Sequence, residues 1–597
     1  MRILCADAES YFDREYTLTR LTQEEYIRHP RFECFGFGLQ WLDGGKGIWV
    51  DASSLPAAFA KIDWSDTAIL AHNSSFDGLI LSHHYGVRPK MWLDTLSMAR
   101  AARGNHLRAS LAALAKDMGL DEKSVPYDDM RGVHWENMPE HLRARVASGC
   151  LQDVALTIEI FKRLLAGFSR EELDVINQTI KMFTEPQLIG DVKQFRAVQG
   201  AEWTRKNEVL LDLGVPERDI QSSARFVQLL EAEGVEVETK KTKAGEAPAV
   251  AASDFFMQEL LEDPNPRVAA LAAARLDLKS TLEETRAGRL AAMAERGPLC
   301  VQLQYAGAHT LRWSGGGKTN FQNLSREGGL RRGVMAPPGH KLVIVDLAQI
   351  ECRVLNWIAG NRALVERMAA GEPVYASNAE RLYGRPVTKK DDPEAYTVGK
   401  KQELGCGYGM GWRRFKAMVF GDMGVMLDQE FAERAIDDYR STHPAVVRLW
   451  KRLELAIPIL AAKGSWEAPE LPIRFDGGRV IGPNGSWMTY EVEWSAVDRG
   501  WRRRTRSGWS KFYGAALVEN IVQYLARIIL SQAVLRMEKR TGFRMVLSAH
   551  DEAVWCVPTE RADDIFAAAM EEMTKTPEWL PGCPIGAEGR TADRYGE

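Results

Sequence analysis

The sequence predicts a multidomain protein that combines α/β and α+β architecture, and three observations lead to that prediction. A chain of 597 residues is too long for one hydrophobic core, so several domains are expected. Up to about residue 165, short runs rich in β-branched residues alternate with helical patterns, as in α/β domains. From about 166 to 300 the pattern is helical, and beyond 300 strands and helices mix again.

Composition argues against a membrane protein and against a disulfide-rich one. Hydrophobic residues make up 45% of the chain and charged residues 26%, and the mean hydropathy is -0.27. We find no secretory signal and no apolar run of membrane-spanning length. The eight cysteines are scattered without a CxxC pair, which indicates reduced thiols in a cytoplasmic protein rather than disulfides or a zinc site.

The formal net charge of -4 means that any polyanion must be bound by a local patch. The candidate patch is RGWRRRTRSGWSK, residues 499–511, in which tryptophans interrupt a run of cations. A solvated charged loop is the simpler interpretation of this stretch taken by itself.

Two acids share one face of the first predicted strand. In RILCADAES the alternation of side chains puts Ile3, Cys5, Asp7 and Glu9 on the same face. Two carboxylates on a core-facing strand are costly unless something positive lies between them. A third acid, Asp77, follows an apolar strand and a polar turn in ILAHNSSFDGLIL.

A fourth acid lies in the predicted amphipathic helix HLRARVASGCLQDVALTIEIFKRLL. One stripe of this helix carries a single charge, Asp153, and consists of Val146, Cys150, Asp153, Thr157 and Ile160. Singly, each acid is most simply a cap or a surface charge. Together the four predict a site for two Mg²⁺ ions about 3.5–4 Å apart that activates water for phosphodiester hydrolysis.

The carboxy-terminal half carries a second acid pair. Asp346 follows the β-branched run 342–345 and precedes a helical pattern, where a helix N-cap is the simpler interpretation. MVLSAHDEAVWCV predicts two apolar strands with His550, Asp551 and Glu552 at the tip of a hairpin. If the two strand regions are neighbours, Asp346 and Asp551 form a divalent-cation site for in-line attack on a phosphate.

Between these acids, YTVGKKQELGCGYGMGW predicts a helix that faces a nucleotide. Lys400, Leu404 and Tyr408 recur every four residues and share one face. A cation, an apolar step and a ring in that order suit phosphates and a base. Three glycines would each cost about 1 kcal/mol in a plain helix, which predicts close approach by a ligand or another backbone: Gly399, Gly405 and Gly407.

The amino-terminal motifs resemble those of a known class of nuclease. Asp7-x-Glu9, HNSSFD ending in Asp77 and LQD ending in Asp153 resemble the three motifs of DEDD 3′–5′ exonucleases, and more narrowly the proofreading domain of family A DNA polymerases. The resemblance implies an RNase H-like fold with these four acids as metal ligands. One departure is Gly149, where the family usually has a water-orienting tyrosine. Either another group orients the water, or hydrolysis is slow.

The carboxy-terminal motifs resemble the polymerase half of the same family. DLAQIECR, KKQELGCGYG and SAHDEAV resemble motifs A, B and C of family A DNA polymerases, the bacterial polymerase I type and its phage branch. LRWSGGGKTNFQN resembles the segment that contacts primer–template DNA, and KFYGAALVENIVQYLARIIL resembles a helix that reaches the minor groove. The resemblance therefore implies an exonuclease domain followed by a right-hand polymerase. Its parts would be the 3′–5′ exonuclease-like domain 1–165, the helical connector and thumb 166–300, the first part of the palm 301–360, the fingers 361–470 and the second part of the palm 471–597.

The resemblance also implies roles for single residues. Two Mg²⁺ ions per site, with Mn²⁺ as an alternative, would be bound by Asp346 and Asp551 in the palm and by the four amino-terminal acids. The implied catalytic residues are Asp346, Asp551, Lys400 and Glu552. The implied nucleotide contacts are Lys400, Leu404, Tyr408, Gln349, His550 and Glu351, the last of which would exclude ribonucleotides. The implied DNA contacts are Arg312, Asn320, Gln322, Asn323, Gln523 and Arg353.

Three departures bear on nucleotide selection rather than on the reaction. Tyr396 stands where many members have a phosphate-binding arginine, Leu404 stands where a ring is frequent, and Ala348 stands where a hydroxyl is usual. The phosphate-binding arginine has three possible substitutes, which stay open: Arg413, Arg414 and Lys401.

The combined prediction is a monomeric DNA polymerase that extends primer–template DNA with dNTPs, replicates a phage genome and proofreads from 3′ to 5′. Because Asp7 lies so near the start, we expect no 5′ nuclease domain; a processivity factor stays open as a partner. The stretch 499–511 is then better interpreted as a DNA-backbone contact. Three alternatives are a nuclease with a decayed polymerase half, a binding module for single-stranded DNA and a single-subunit RNA polymerase.

Overall fold

The computed structural model describes residues 1–242, 245–251, 254–278, 282–325 and 329–597. They form two compact units. The larger unit comprises Met1–Leu188, Pro298–Leu324 and Ala336–Asp593, and the smaller unit comprises Ile189–Gly297, Ser325–Met335 and Arg594–Glu597. The five-part division predicted from the sequence is finer than these units and stays a prediction.

The amino-terminal part of the larger unit is a five-stranded sheet with helices packed on it. Its strands are β1 (Arg2–Ser10), β2 (Cys34–Trp41), β3 (Ile48–Asp51), β4 (Thr67–Ala71) and β5 (Met91–Asp94). Its helices are α1 (Gln23–Ile27), α2 (Leu55–Phe59), α3 (Ser74–His84), α4 (Thr95–Arg103), α5 (Leu111–Asp117), α6 (Tyr127–Met130), α7 (Glu140–Leu165) and α8 (Arg170–Thr184). The strand order is β3-β2-β1-β4-β5, with β1 antiparallel to β2 and parallel to β4. The predicted alternation of strands and helices is confirmed here.

Helix α7 packs its predicted stripe against the strands β1 and β2. All five residues of the stripe are buried, Asp153 included. Glu140 in the first turn and Lys162 and Arg163 in the last turn complement the helix dipole. The helix therefore holds one carboxylate in the core, beside the strand that carries the first two acids.

Residues 189–297, which belong to the smaller unit, are mainly helical, as the sequence predicts. Their elements are β6 (Ile189–Gly190), α9 (Val192–Leu213), α10 (Glu217–Gln221), α11 (Ser223–Ala232), β7 (Thr239–Thr242), β8 (Gly245–Pro248), α12 (Phe255–Glu259), α13 (Pro266–Leu278) and α14 (Leu282–Arg296). Helices α9 and α14 pack side by side, and an apolar cluster that includes Phe226, Leu230 and Leu271 forms the core.

Residues 298–360 return to short strands and then enter a long central strand. The elements are β9 (Leu303–Gln304), β10 (Ser314–Gly315), α15 (Gly329–Arg332), β11 (Val334–Met335), β12 (His340–Leu347) and α16 (Ile350–Ile358). Of these, α15 and β11 lie in the smaller unit, where β11 pairs with β6. The run 342–345 of β12 is fully buried, which explains its β-branched, apolar composition.

A helical region follows the central strand. Its elements are α17 (Arg362–Ala369), α18 (Val374–Tyr383), α19 (Pro393–Cys406), α20 (Trp412–Met423), α21 (Gln429–Thr442), α22 (Pro444–Glu454), α23 (Ile457–Ala461) and β13 (Trp466–Glu467). Helix α19 carries the predicted nucleotide-facing residues and packs closely on α18. A Cβ on Gly399 would lie 2.3 Å from the carbonyl oxygen of Tyr375, so close approach by another backbone is confirmed at this glycine. At Gly405 and Gly407 the nearest atoms belong to the side chains of Met410 and Leu355.

The carboxy-terminal part completes the central sheet. Its elements are β14 (Arg474–Asp476), β15 (Arg479–Ile481), β16 (Trp487–Thr489), β17 (Val492–Ser495), β18 (Gly500–Thr505), β19 (Gly508–Lys511), α24 (Gly514–Thr541), β20 (Met545–Ala549), β21 (Glu552–Pro558), α25 (Ala562–Thr574) and β22 (Ala587–Ala592). The central sheet has the order β20-β21-β12-β22, and α25 packs against β12 and β22. This sheet positions the second acid cluster.

The basic stretch 499–511 is not a loop. It forms strands β18 and β19, which pair with β17 in a three-stranded antiparallel sheet. Trp494 and Trp501 are paired across the strands, and Arg502 and Arg504 lie over the ring of Trp509 at 5.2 and 5.5 Å. The tryptophans and arginines of this stretch therefore pack against one another across neighbouring strands. The charge of the stretch alone did not predict these strands.

Among the helices of the described residues, none combines the length and the apolar character that crossing a membrane requires. All eight cysteines fall within the described residues, and none of them forms a disulfide.

Candidate active sites

The four amino-terminal acids meet at the carboxyl end of β1. Asp7 and Glu9 lie on β1, Asp77 lies in the first turn of α3, and Asp153 projects from α7. The backbone N–H of Ala8 donates a hydrogen bond of 3.0 Å to Oδ1 of Asp77, which fixes that carboxylate against the strand. Asp77 follows the strand β4 as the sequence predicts, and it lies in the first turn of a helix.

These carboxylates are buried close enough to repel one another. Burial, reinforced by the charge of Asp153, raises the pKa of Asp7 to about 7. Burial and the charge of Asp7 likewise raise the pKa of Glu9 and the pKa of Asp77. Burial raises the pKa of Asp153 as well, although its ion pair with Lys123 acts in the opposite direction. A cluster of this kind is stabilised by added positive charge.

The residues fit divalent cations. Asp7, Glu9 and Cys150 each offer a ligand atom, and these atoms lie within 4.8 Å of one another. Oδ1 of Asp153 is buried and, among the described residues, has no hydrogen-bond partner, as expected for an oxygen that faces an ion. A donor set dominated by carboxylate oxygens suits Mg²⁺ or Mn²⁺.

Two polar neighbours of this cluster were missed as site residues. The Cys150 thiol donates to the backbone oxygen and to Oδ2 of Asp7, at 3.2 and 3.3 Å. Nζ of Lys123 lies 2.5 Å from Oδ2 of Asp153. Lys123 belongs to a polar segment without periodicity, so no sequence signal connected it with the acids.

The second acid cluster lies at the end of the central sheet. Strand β12 pairs with β21, and Asp346 is directly opposite Glu552. Asp551 occupies a two-residue turn between β20 and β21, whose other residue, His550, has a φ of 56°. The N–H of Leu347 donates to the carbonyl oxygen of Asp551 at 3.1 Å. The predicted hairpin and the predicted neighbourhood of Asp346 and Asp551 are both confirmed as geometry.

An arginine from a distant segment neutralises this cluster. Arg312 contacts Oε1 of Glu351 at 2.7 Å and Oδ1 of Asp551 at 2.9 Å. Burial raises the pKa of Asp551, and the guanidinium of Arg312 acts in the opposite direction. Tyr408 donates a hydrogen bond of 3.0 Å to Oε2 of Glu351. The carboxylates of Glu351 and Asp551 already surround one cation, the guanidinium of Arg312. Carboxylate oxygens are also the ligands that Mg²⁺ prefers, so this position suits Mg²⁺.

The predicted nucleotide-contacting residues lie on or near α19. Lys400 is exposed and Leu404 is half-buried on this helix, whereas Tyr408 follows its last residue, Cys406. Gln349 precedes α16 with a φ of 53°. Tyr396 packs edge-on against Tyr375, with ring centroids 6.1 Å apart.

The three substitutes for the phosphate-binding arginine differ in their surroundings. Lys401 forms an ion pair with Asp422. Arg413 lies over the ring of Trp412 at 5.0 Å. Burial and the charge of Glu351 raise the pKa of Glu519, and the charge of Arg414 acts in the opposite direction. Of the three substitutes, Arg414 is therefore the one whose charge acts on an acid near Glu351.

The predicted DNA-contacting residues divide into two groups. Arg353 is used internally, since its guanidinium donates to the carbonyl oxygens of Ala348 and Pro584 at 2.8 and 2.9 Å. Asn320, Gln322 and Asn323 belong to the short helical turn 320–323, which packs against β20, the strand before Asp551. Gln523 lies within 3.4 Å of Thr310, two residues before Arg312.

Sequence reasoning missed two further acids near the second cluster. Glu588 on β22 is directly opposite Asp346, on the other side from Glu552. Glu519 on α24 is close enough to Glu351 for the two charges to interact. A spacing rule cannot find either residue, because both are brought in by strand pairing or helix packing.

Comparison with known proteins agrees with this arrangement. Residues 194–456, which include Asp346 and Lys400, match the family model described as DNA polymerase family A. The DNA polymerase of Bacillus phage SP02 is 27% identical over 283 residues, 45% of this chain and 43% of that polymerase. The thermostable DNA polymerase I of Thermus aquaticus is 25% identical over 252 residues, 41% of this chain and 26% of that enzyme. The chain thus matches less than half the length of each of these relatives.

A solved structure extends the likeness in fold. The POL domain of Pol1 from M. smegmatis, in a complex with DNA primer-template and dNTP, matches with a TM-score of 0.69 at 18% identity, covering 99% of this chain and 95% of that one. This structural likeness is one of fold. The likeness to DNA polymerase family A rests on residues 194–456 and on the partial sequence matches to phage and bacterial DNA polymerases.

Proposed function

We propose that this protein is a DNA-templated DNA polymerase that adds deoxynucleotides to a primer 3′ end. The observation that carries the proposal is the meeting of Asp346 and Asp551 on adjacent segments of the central sheet, linked by the hydrogen bond from Leu347. The family match supports the reaction class, and the related Pol1 structure holds primer-template DNA and dNTP. Its proposed role is replication of a phage genome.

In this mechanism Asp346 and Asp551 would bind two Mg²⁺ ions, which supply Lewis-acid activation of the primer hydroxyl and charge neutralisation on the phosphates. The chain itself positions the reactants. Lys400 would bind the triphosphate and protonate the departing pyrophosphate, and Glu552 would support the metal site from the opposite strand position. Because positioning and electrostatics dominate phosphoryl transfer, these residues account for most of the expected acceleration.

Glu351 and Tyr408 would select the sugar. The hydrogen bond between them holds the Glu351 carboxylate in place beside Arg312. A carboxylate fixed there would leave no room for a 2′-hydroxyl, which favours dNTPs over ribonucleotides. When DNA and metal bind, Arg312 would release Asp551 and contact the primer–template instead.

The test is primer extension with a labelled primer–template and Mg²⁺, with dNTPs in one reaction and ribonucleotides in the other. Wild-type protein should extend with dNTPs, and Asp346→Ala should abolish extension while Asp7→Ala leaves it intact. Extension with ribonucleotides alone would favour the RNA polymerase alternative. A folded wild-type protein that extends with neither would overturn the proposal.

We propose 3′–5′ exonuclease activity as a second function of the same chain. It rests on the buried four-acid cluster and on the Asp153 oxygen that faces no partner among the described residues. The strand order β3-β2-β1-β4-β5, in which β2 runs antiparallel to the other four strands, supports an RNase H-like fold for this region. The four acids would bind two Mg²⁺ ions, and the activity would remove misincorporated nucleotides.

The corresponding test omits dNTPs. Wild-type protein with Mg²⁺ should shorten a 5′-labelled single strand from its 3′ end, and Asp7→Ala should abolish shortening without reducing extension. Extension by a wild-type protein that never shortens the strand would retain the polymerase and remove the exonuclease.

A further inference from the structure

The segment between α5 and α6, residues 118–126, lies where the family's water-orienting tyrosine would stand. A Cβ on Gly149 would be only 2.8 Å from both Cα and N of Val125. A tyrosine at position 149 would therefore collide with backbone, which cannot move aside as a side-chain end can. The backbone of residues 118–126 therefore explains why position 149 is a glycine. The absence of a tyrosine there is a consequence of this packing and is not evidence that the activity is lost.

The segment is anchored to α7 at several points. Gln152 on α7 is hydrogen-bonded both to Ser124 and to the carbonyl oxygen of Glu122. Arg163 donates to the carbonyl oxygen of Met118 at 2.6 Å. Val125 is buried against the helix. These contacts fix the position of the side chains that the segment carries toward the acids.

Two side chains approach the acid cluster from this side: Lys123 of the segment and Tyr127, the first residue of α6. Nζ of Lys123 contacts Asp153 and lies 3.5 Å from Oη of Tyr127. The Tyr127 ring packs edge-on against Phe12, just beyond β1. The residue as a whole is 42% exposed, so a substrate can reach it. Burial, followed by the charges of Glu9 and Asp153, raises the pKa of Tyr127.

Other polar groups beside the acids are already engaged. The Cys150 thiol donates to Asp7, and His72 is bonded to Thr95 through Nδ1 at 2.9 Å. Lys123, whose side chain is partly exposed, and Tyr127, an exposed residue, are by contrast open to solvent beside the acids.

We propose that Tyr127 orients the attacking water in the exonuclease site, in place of the residue at position 149, and that Lys123 positions Tyr127 and Asp153. This inference rests on the proposed exonuclease function. In the reaction, the water oxygen bonds to phosphorus while the bond from phosphorus to the 3′-oxygen of the preceding nucleotide breaks. That 3′-oxygen takes up a proton, leaving a shortened strand and a nucleoside 5′-monophosphate. Tyr127 accepts or donates a hydrogen bond to the water without itself losing a proton.

The test compares wild-type protein with Tyr127→Phe, Lys123→Met and the control Lys116→Met, which removes an exposed lysine of α5. Single-turnover hydrolysis of single-stranded DNA is measured with Mg²⁺, and DNA affinity is measured with Ca²⁺ in place of Mg²⁺. Tyr127→Phe should slow hydrolysis by about 10²-fold with DNA affinity unchanged, because only the positioning of the water is lost. Primer extension by every variant serves as the control for folding.

A second readout does not depend on turnover. Mn²⁺ affinity is measured by electron paramagnetic resonance in an Asp551→Asn background, which weakens binding at the palm. Lys123→Met should bind Mn²⁺ severalfold more tightly, because the ammonium group no longer competes for Asp153. Lys116→Met should match the parent protein in both measurements.

The outcomes separate the two proposals. If wild-type protein hydrolyses DNA and Tyr127→Phe equals it, the inference is overturned and the exonuclease stands. Unchanged Mn²⁺ affinity in Lys123→Met overturns the role of Lys123. If wild-type protein binds single-stranded DNA and leaves it intact, the exonuclease proposal fails and takes the inference with it.

Discussion

The two acid clusters are neutralised in different ways. The amino-terminal cluster is assembled on β1, α3 and α7 and is compensated by Lys123 at one edge, where it contacts Asp153. The palm cluster lies at the end of the central sheet and is compensated by Arg312, whose guanidinium bridges Asp551 and Glu351. In the first cluster burial, together with repulsion between the carboxylates, raises the pKa of Asp7 to about 7. In the second cluster one cation spans two carboxylates.

This difference indicates how each site would respond to a metal. Ions entering the amino-terminal site relieve repulsion among acids that are already in contact, so metal binding and stability should be strongly coupled there. Ions entering the palm must compete with Arg312, so metal binding should be coupled to the arrival of DNA, which offers the arginine another partner.

The largest expected effect separates the clusters by activity. Asp551→Asn should reduce nucleotide addition by at least about 10³-fold, because a metal-binding carboxylate is lost, while hydrolysis of single-stranded DNA continues. The matched control is Asp563→Asn, which changes an exposed acid of α25. Equal extension by Asp551→Asn and Asp563→Asn, measured as initial rates, would show that the palm acids are not the polymerase site.

Sugar selection should depend on the pair formed by Glu351 and Tyr408. Glu351→Ala should raise ribonucleotide use relative to dNTP use by about tenfold to a hundredfold, because the carboxylate no longer fills the space beside the sugar. Tyr408→Phe, which removes only the hydrogen bond to Glu351, should have a smaller effect in the same direction. Ratios of kcat/KM for matched dNTP and ribonucleotide pairs measure this, and an unchanged ratio in Glu351→Ala would contradict the assignment.

Stability should fall with rising pH when metal is absent. The pKa of Asp7 is raised from 3.8 to about 7 in the folded chain, so the folded state holds this proton more tightly than the unfolded state. The resulting stabilisation is complete below pH 4, declines between the two values and is lost as the pH rises through about 7.

With chelator present, Tm should therefore drop by a few degrees between pH 6 and pH 8, and Mg²⁺ should restore more of it at pH 8. Asp7→Asn should flatten this pH dependence. A drop of the same size in Asp7→Asn would show that the amino-terminal cluster is not its source.

The smallest effect concerns the sheet β17–β19, which lies outside both clusters. Arg504 and Lys511 are exposed on this sheet, near Trp509. Replacing both with alanine should weaken primer–template binding a few-fold. The slope of log affinity against log salt concentration should become shallower by about one or two, as expected for the loss of one or two phosphate contacts. Lys575→Ala, an exposed lysine elsewhere, should leave the salt slope unchanged. If the double variant and Lys575→Ala show the same salt slope, these strands do not contact the DNA backbone and their role is structural.

Much of the site geometry could be predicted because local patterns encode it. The stripe on α7 identified Asp153 as a buried charge through helical periodicity, and the apolar runs around Asp551 identified a hairpin. The resemblance of the motifs to those of family A DNA polymerases then predicted that Asp346 and Asp551 share one site. The ends of helices were harder to predict. Asp77 lies within the first turn of α3, and Tyr408 lies beyond the last residue of α19.

The sequence by itself therefore determined the order of elements, the two acid sets and the family resemblance, because periodicity and motif spacing are local properties of the chain. Only the tertiary structure decided which cation faces which acid. Lys123 reaches Asp153, Arg312 reaches Asp551 and Glu588 flanks Asp346 through contacts between segments far apart in sequence. The same holds for Gly149, whose missing side chain is explained by a backbone crossing that no spacing predicts. Such contacts depend on how elements pack, and packing is a property of the whole fold.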